Sequence, residues 1–171
     1  MSAIKDDIYF FHQTPAELAT NIINKYDGLL NDNDILYEPF KGEGAFYNAF
    51  PNRCRKIWAE IVDGKDYTIE KEYDWVITNP PFRLEGDGGR RNAFWELLDY
   101  FSQHAKKGII FLGNDYCLNT LTPLRQQKLK ERGWGLTHMS MCNVKKWRGR
   151  YYVLVFQPSP TSIMGYFEGV Y

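Results

Sequence analysis

The chain has 171 residues, a mass of 20.1 kDa and a formal net charge of zero, from 21 basic and 21 acidic side chains, with 44% hydrophobic and 25% charged residues. That is the size and composition of one globular domain that buries a core without disulfides, and it excludes a disordered chain. The longest apolar run, Ile109–Leu112, is too short to cross a bilayer, and Met1–Asp7 has no apolar core of the secretory kind, so a cytoplasmic protein without membrane contact is expected.

Taken in chain order, Thr14-Pro15-Ala16-Glu17 predicts a helix start, with Thr14 as cap, Pro15 at the first helical position and Glu17 closing a capping box. Leu18, Ile22 and Ile23 share one face, and Tyr26-Asp27-Gly28 ends the helix. Asp34–Glu38 predicts a strand running into a glycine turn, and a short helix through Tyr47–Phe50 stops at Pro51. Lys56–Glu60 and Tyr73–Thr78 are further strands, the second ending at Asn79-Pro80-Pro81. Arg83–Arg91, with Gly86, Gly88 and Gly89, reads as a loop. Phe94, Leu97, Leu98 and Phe101 have the i, i+3, i+4, i+7 spacing of a helix with one buried face. Gly108–Gly113 is a buried strand, and Thr122-Pro123 opens a helix that Gly133 ends. Leu136–Cys142 and Tyr151–Phe156 form a hairpin around Asn143–Arg150, and the residues after Gln157 fit no element. Alternating strands and helices predict a single α/β domain spanning the chain, its sheet mostly parallel with an antiparallel end.

Cys54, Cys117 and Cys142 are dispersed and form no CxxC pair, which suits reduced thiols and supplies no metal framework. Aromatic residues reach 16%, enough for a large core or for stacking flat ligands. Charge is uneven: residues 1–124 carry 13 basic and 19 acidic side chains, whereas residues 125–150 carry eight basic ones against Glu131 alone. The basic segment is either a polyanion-binding patch or a solvated face.

Two turns carry the chemistry. Glu38-Pro39-Phe40-Lys41-Gly42-Glu43-Gly44 joins a strand to a helix, so its glycines let backbone approach a ligand at the strand's C-terminal end. It has neither GxGxxG nor a P-loop Lys-Ser pair, so a phosphate site is not indicated; the acid Glu38 suits a cationic or hydroxylated ligand. Asn79-Pro80-Pro81-Phe82 is stiff and lacks two N–H donors. The Asn79 side-chain oxygen and the Pro80 carbonyl are an acceptor pair beside an aromatic ring, suited to a planar group bearing NH2.

These motifs, Phe11-His12-Gln13-Thr14-Pro15, then EPFKGEGAF, then NPPF, resemble the S-adenosylmethionine-dependent N6-adenine DNA methyltransferases, in the compact bacterial or phage form without a separate target-recognition domain. The likeness runs from residue 10 to about 156, with Glu38 in place of the family's commoner aspartate. It implies a Rossmann-like class I methyltransferase fold with a seven-stranded sheet. It further implies that Thr14 and its neighbours Phe11 and Pro15 lie near the cofactor's methionine end, that Glu38, Phe40, Gly42 and Gly44 surround the methionine and sulfonium, and that Asn79 also contacts the cofactor. Glu60 would accept the ribose hydroxyls, and Asp66 and Tyr67 would meet the adenine, across an interval from Glu60 unusually short for the fold. Catalysis falls to Asn79, Pro80, Pro81 and Phe82, with no metal. Arg83, Arg90 and Arg91, and the hairpin tip Lys145, Lys146, Trp147, Arg148 and Arg150, are the expected nucleic-acid contacts, Trp147 stacking or wedging at the base. DNA is the favoured substrate, with a partner subunit possible for target choice. RNA adenine, a protein glutamine amide or a non-catalytic cofactor-binding partner are the rivals.

Overall fold

A computed structural model describes residues 13–84 and 93–169. Among them the chain forms helix α1 (Ala16–Tyr26), strand β1 (Ile35–Glu38), α2 (Ala45–Ala49), β2 (Arg55–Trp58), β3 (Trp75–Thr78) and α3 (Phe94–Phe101). Then come β4 (Gly108–Asn114), α4 (Asp115–Asn119), α5 (Pro123–Glu131), β5 (Trp134–Cys142) and β6 (Tyr151–Pro158). One sheet runs in the order β2-β1-β3-β4-β6-β5. β2, β1, β3 and β4 are parallel, and β6 is antiparallel to both β4 and β5.

Side chains alternate across this sheet as strand geometry requires. Tyr37, Val76, Ile109 and Phe111 enter one apolar cluster with α3 and Leu129 of α5. Leu36, Trp75, Ile77, Ile110 and Leu112 enter another with Ala19, Ile22, Ile23 and Tyr26 of α1 and Phe46 of α2. Helices on both faces bury the parallel strands, which is why those strands read as continuous apolar runs. Gly108 is obligatory for this packing: a Cβ there would sit 2.2 Å from a Trp75 ring atom.

The sheet has six strands among the described residues, not seven. Residues 59–74 hold a 3-10 turn at Ile61–Asp63 and irregular chain, too little to carry an outer strand with a helical crossover. β2 is shifted from the expected Lys56–Glu60 to Arg55–Trp58, and Glu60 instead opens the 3-10 turn, its carboxylate accepting from Val62 N at 3.4 Å. Thr14 does not cap α1; Pro15 occupies that position without a side-chain cap bond. The tail after Gln157 folds back on the start of β5, where Ile163 N donates to Leu136 O at 2.8 Å and Ser162 Oγ accepts from Leu136 N at 3.3 Å. Among the described residues no helix is long and apolar enough to cross a membrane.

Candidate active site

β1, β2 and β3 are adjacent and parallel, so their C-terminal ends, and the two turns that leave β1 and β3, lie at the same end of the sheet. Ala59 N donates to Glu38 O at 2.9 Å and Lys41 N to Ala59 O at 3.1 Å, which ties the glycine turn to the end of β2. Gly42 and Gly44 lie at φ +52° and +88°, a region that side chains with a Cβ rarely adopt. Two acids hold the turn from beneath. Glu38 Oε1 accepts from Phe40 N at 3.0 Å and from the Thr78 hydroxyl, and Glu60 Oε2 accepts from Gly42 N at 2.8 Å. Both carboxyls are nearly out of solvent, at 2% and 7% exposure. Burial pushes Glu38 well above the usual carboxylate range, the nearby Glu60 charge adds to this, and the bonds from Thr78 and Phe40 oppose it.

The second turn begins one residue after Thr78. Asn79 Nδ2 donates to Thr14 Oγ1 at 3.2 Å, which points its amide and joins the chain before α1 to the end of β3. The Thr14 hydroxyl therefore meets Asn79 instead of capping the helix. Pro80 is buried; Pro81 and Phe82 are half-buried, and the Phe82 ring packs against both cores. Phe82 O accepts from Ala93 N at 2.9 Å, so the turn is pinned on its far side too. Above the glycine turn the Phe40 and Tyr67 rings lie 5.6 Å apart, and Tyr37 Oη donates to Tyr67 O at 2.8 Å. Asp66 closes a local turn, Oδ1 accepting from Thr68 N at 2.9 Å and Thr68 Oγ1 at 2.8 Å.

Thr14, Glu38, Phe40, Gly42, Gly44, Glu60, Tyr67 and Asn79 are thus brought together. Phe11, Arg90 and Arg91 lie outside the described residues, and Arg83 is exposed beside the turn. The hairpin tip shares this end of the sheet, because Tyr151 pairs with Asn114 at the end of β4. Lys145, Lys146, Arg148 and Arg150 are exposed there. Trp147 departs from its expected role. It is 8% exposed, packed 4.6 Å from the Tyr151 ring, and is an anchor, not a projecting wedge. Sequence reading missed Thr78, whose signal was a lone hydroxyl at the end of an apolar strand. It also missed Gln13, whose Oε1 accepts from Glu43 N at 3.5 Å.

No protein-family profile matches the chain, and no curated protein sequence matches it. Solved structures do. One described as a class I S-adenosylmethionine-dependent methyltransferase from Listeria monocytogenes superposes with a TM-score of 0.65 at 11% identity, covering 92% of this chain and 64% of that one. The chain has the class I methyltransferase fold. A structure assigned as an RNA methyltransferase from Pyrococcus horikoshii gives 0.56 at 13% identity over 86% of each chain. A modification subunit assigned to a type I restriction enzyme from Vibrio vulnificus gives 0.61 at 11% identity, covering 88% of this chain and 45% of that one. At such identities the likeness is one of fold.

Proposed function

We propose that the chain is an S-adenosylmethionine-dependent methyltransferase acting on N6 of adenine in DNA. The observation that carries this reading is the junction of the two turns: Thr78 bonds the buried Glu38 of the glycine turn, while the adjacent Asn79 is oriented by Thr14. The glycine turn and its surroundings suit the cofactor. Gly42 and Gly44 turn the chain at positive φ, Gly42 half-buried and Gly44 buried, Glu38 and Glu60 are acids at the strand ends, and Phe40 and Tyr67 offer aromatic rings. Glu38 would face the cationic methionine end, Glu60 the ribose hydroxyls, and Tyr67 with Asp66 the adenine. When bound, S-adenosylmethionine supplies an activated methyl group.

The chain's own work is orientation. The N6 lone pair of adenine is delocalised into the ring and weakly nucleophilic. Asn79 Oδ1 and Pro80 O would accept the two N6–H bonds, favour a tetrahedral nitrogen and direct its lone pair out of the ring plane, while Phe82 stacks on the base. The surplus proton leaves to water. A base in duplex DNA must first be flipped out. Arg83 and the exposed hairpin cations would hold phosphates. A partner subunit for target choice belongs to the same reading, supported by the likeness to a modification subunit.

The test is methyl transfer from labelled S-adenosylmethionine to duplex DNA, single-stranded DNA and structured RNA in parallel, with nucleoside mass spectrometry. N6-methyladenine in DNA is expected. The same product in RNA alone would move the substrate to the second reading, which the Pyrococcus structure favours. No product in any nucleic acid would refute both.

A further inference from the structure

At the sheet edge opposite the hairpin, Trp58 at the end of β2 carries two ammonium groups. Lys41 Nζ lies 4.3 Å from its ring centroid and Lys65 Nζ 3.8 Å. Lys41 Nζ also lies 5.8 Å from the Tyr47 ring, and Lys56 Nζ 6.0 Å from the same ring. Three lysines thus converge on two rings. The fold brings them from three places: Lys41 from the glycine turn, Lys56 from β2, and Lys65 from the chain that reverses through Ile61–Asp63. Gly64 at φ +75° makes that reversal, and Lys65 N then donates to Glu60 O at 3.1 Å.

None of the three lysines forms an ion pair among the described residues, although Lys106, Lys107, Arg53, Arg132 and Arg150 all do. The Glu60 carboxylate beside them is turned inward to Gly42 N. Cation–π attraction orders each ammonium but leaves its charge intact, and two ammoniums on one ring repel each other. A phosphate within reach of these side chains would offset their charge. The cluster also runs against the acidic trend of residues 1–124. It adjoins the glycine turn, since Lys41 lies between Phe40 and Gly42, and Trp58 pairs in register with Glu38.

We infer that Lys41, Lys56 and Lys65, ordered by Trp58 and Tyr47, form a phosphate-binding surface for the nucleic-acid strand flanking the reacting base. This rests on the nucleic-acid reading above and puts a second basic contact across the sheet from the hairpin. The strand would run from one sheet edge to the other over the two turns.

The experiment is fluorescence anisotropy of a labelled single-stranded oligonucleotide and its duplex over a salt series, with wild type, Lys56→Gln/Lys65→Gln and Lys56→Arg/Lys65→Arg. The glutamine pair should lose about tenfold in affinity at low salt and lower the log–log salt slope by roughly 1.4 on single strands and 1.8 on duplex. The arginine pair should retain both, and calorimetric affinity for S-adenosylmethionine should stay at the wild-type value. An unchanged slope in the glutamine pair would overturn the surface while leaving the reading of the site intact, provided wild type methylates nucleic acid. Wild type that binds S-adenosylmethionine but no nucleic acid would overturn both. Loss of binding to poly-glutamate with the oligonucleotide titration unchanged would overturn it in favour of an acidic protein partner.

Discussion

At the scale of single residues, the hydrogen bonds of three side chains separate, on the proposed reading, cofactor binding from methyl transfer. Asn79 reaches Thr14, whereas Glu38 and Glu60 reach the glycine turn. Asn79→Ala should therefore abolish methyl transfer, by at least about a hundredfold in kcat for a preorganised acceptor, with a much smaller loss of cofactor affinity, because the glycine turn and its two acids remain. Single-turnover assays beside calorimetry would show the split, and equal losses in both would refute it. Glu38 gives a pH prediction. Its carboxyl is raised in the folded protein, so folding favours the protonated form, and this stability is present below the ordinary carboxylate range. It is lost as pH climbs from that range through the raised value. Glu38→Gln keeps the shape without the charge, so the unliganded variant should melt above wild type at about pH 8 and converge with it near about pH 4. A difference in Tm that is constant with pH would contradict this. Thr14 shows the limit of local reading: its place before Pro15 fits a helix cap, but a residue 65 positions along the chain takes its hydroxyl.

At the scale of elements, the hairpin between β5 and β6 is the clearest case. Its basic residues and its tryptophan read as one exposed patch, but the structure separates them. Trp147 N donates to Val144 O at 2.9 Å, folding the tip so that the ring turns into the core beside Tyr151 while Lys145, Lys146, Arg148 and Arg150 stay in solvent. Trp147→Ala should cost roughly 3–5 kcal/mol in urea unfolding, as for other buried aromatics. Lys146→Ala on the same tip should change stability by less than about 0.5 kcal/mol. If both variants unfold together with wild type, Trp147 is not an anchor. A strand pattern and a charge run give the hairpin and its tip from sequence; which side chain turns inward depends on the tip's own hydrogen bonds.

At the scale of the whole molecule, the six-stranded sheet puts the two turns at the C-terminal ends of its parallel strands, with exposed basic residues at the hairpin tip on one flank and half-buried lysines at the β2 edge on the other. Replacing Lys145, Lys146, Arg148 and Arg150 with glutamine should lower the salt slope of nucleic-acid binding by roughly 2.8 on single strands and 3.6 on duplex, without moving cofactor affinity. Combined with the β2-edge glutamine pair, the losses should add, because the two sets lie on opposite edges and share no partners. Slopes that fail to add would mean the two surfaces bind alternative ligands, not one strand.

The sequence by itself determined the α/β alternation, the two turns and the hairpin. Each of these is local: apolar periodicity, glycine and proline conformations and the charge of neighbouring residues act over a few positions. The tertiary structure decided what depends on distant partners. It withdrew Thr14 from the helix cap, buried Trp147, dropped the outer strand that residues 59–74 cannot build, and gave Thr78 a partner 40 residues away in Glu38. It also assembled Lys41, Lys56 and Lys65 around Trp58 and Tyr47. Those pairings follow from strand order and from the close packing of side chains across layers, which no local pattern encodes.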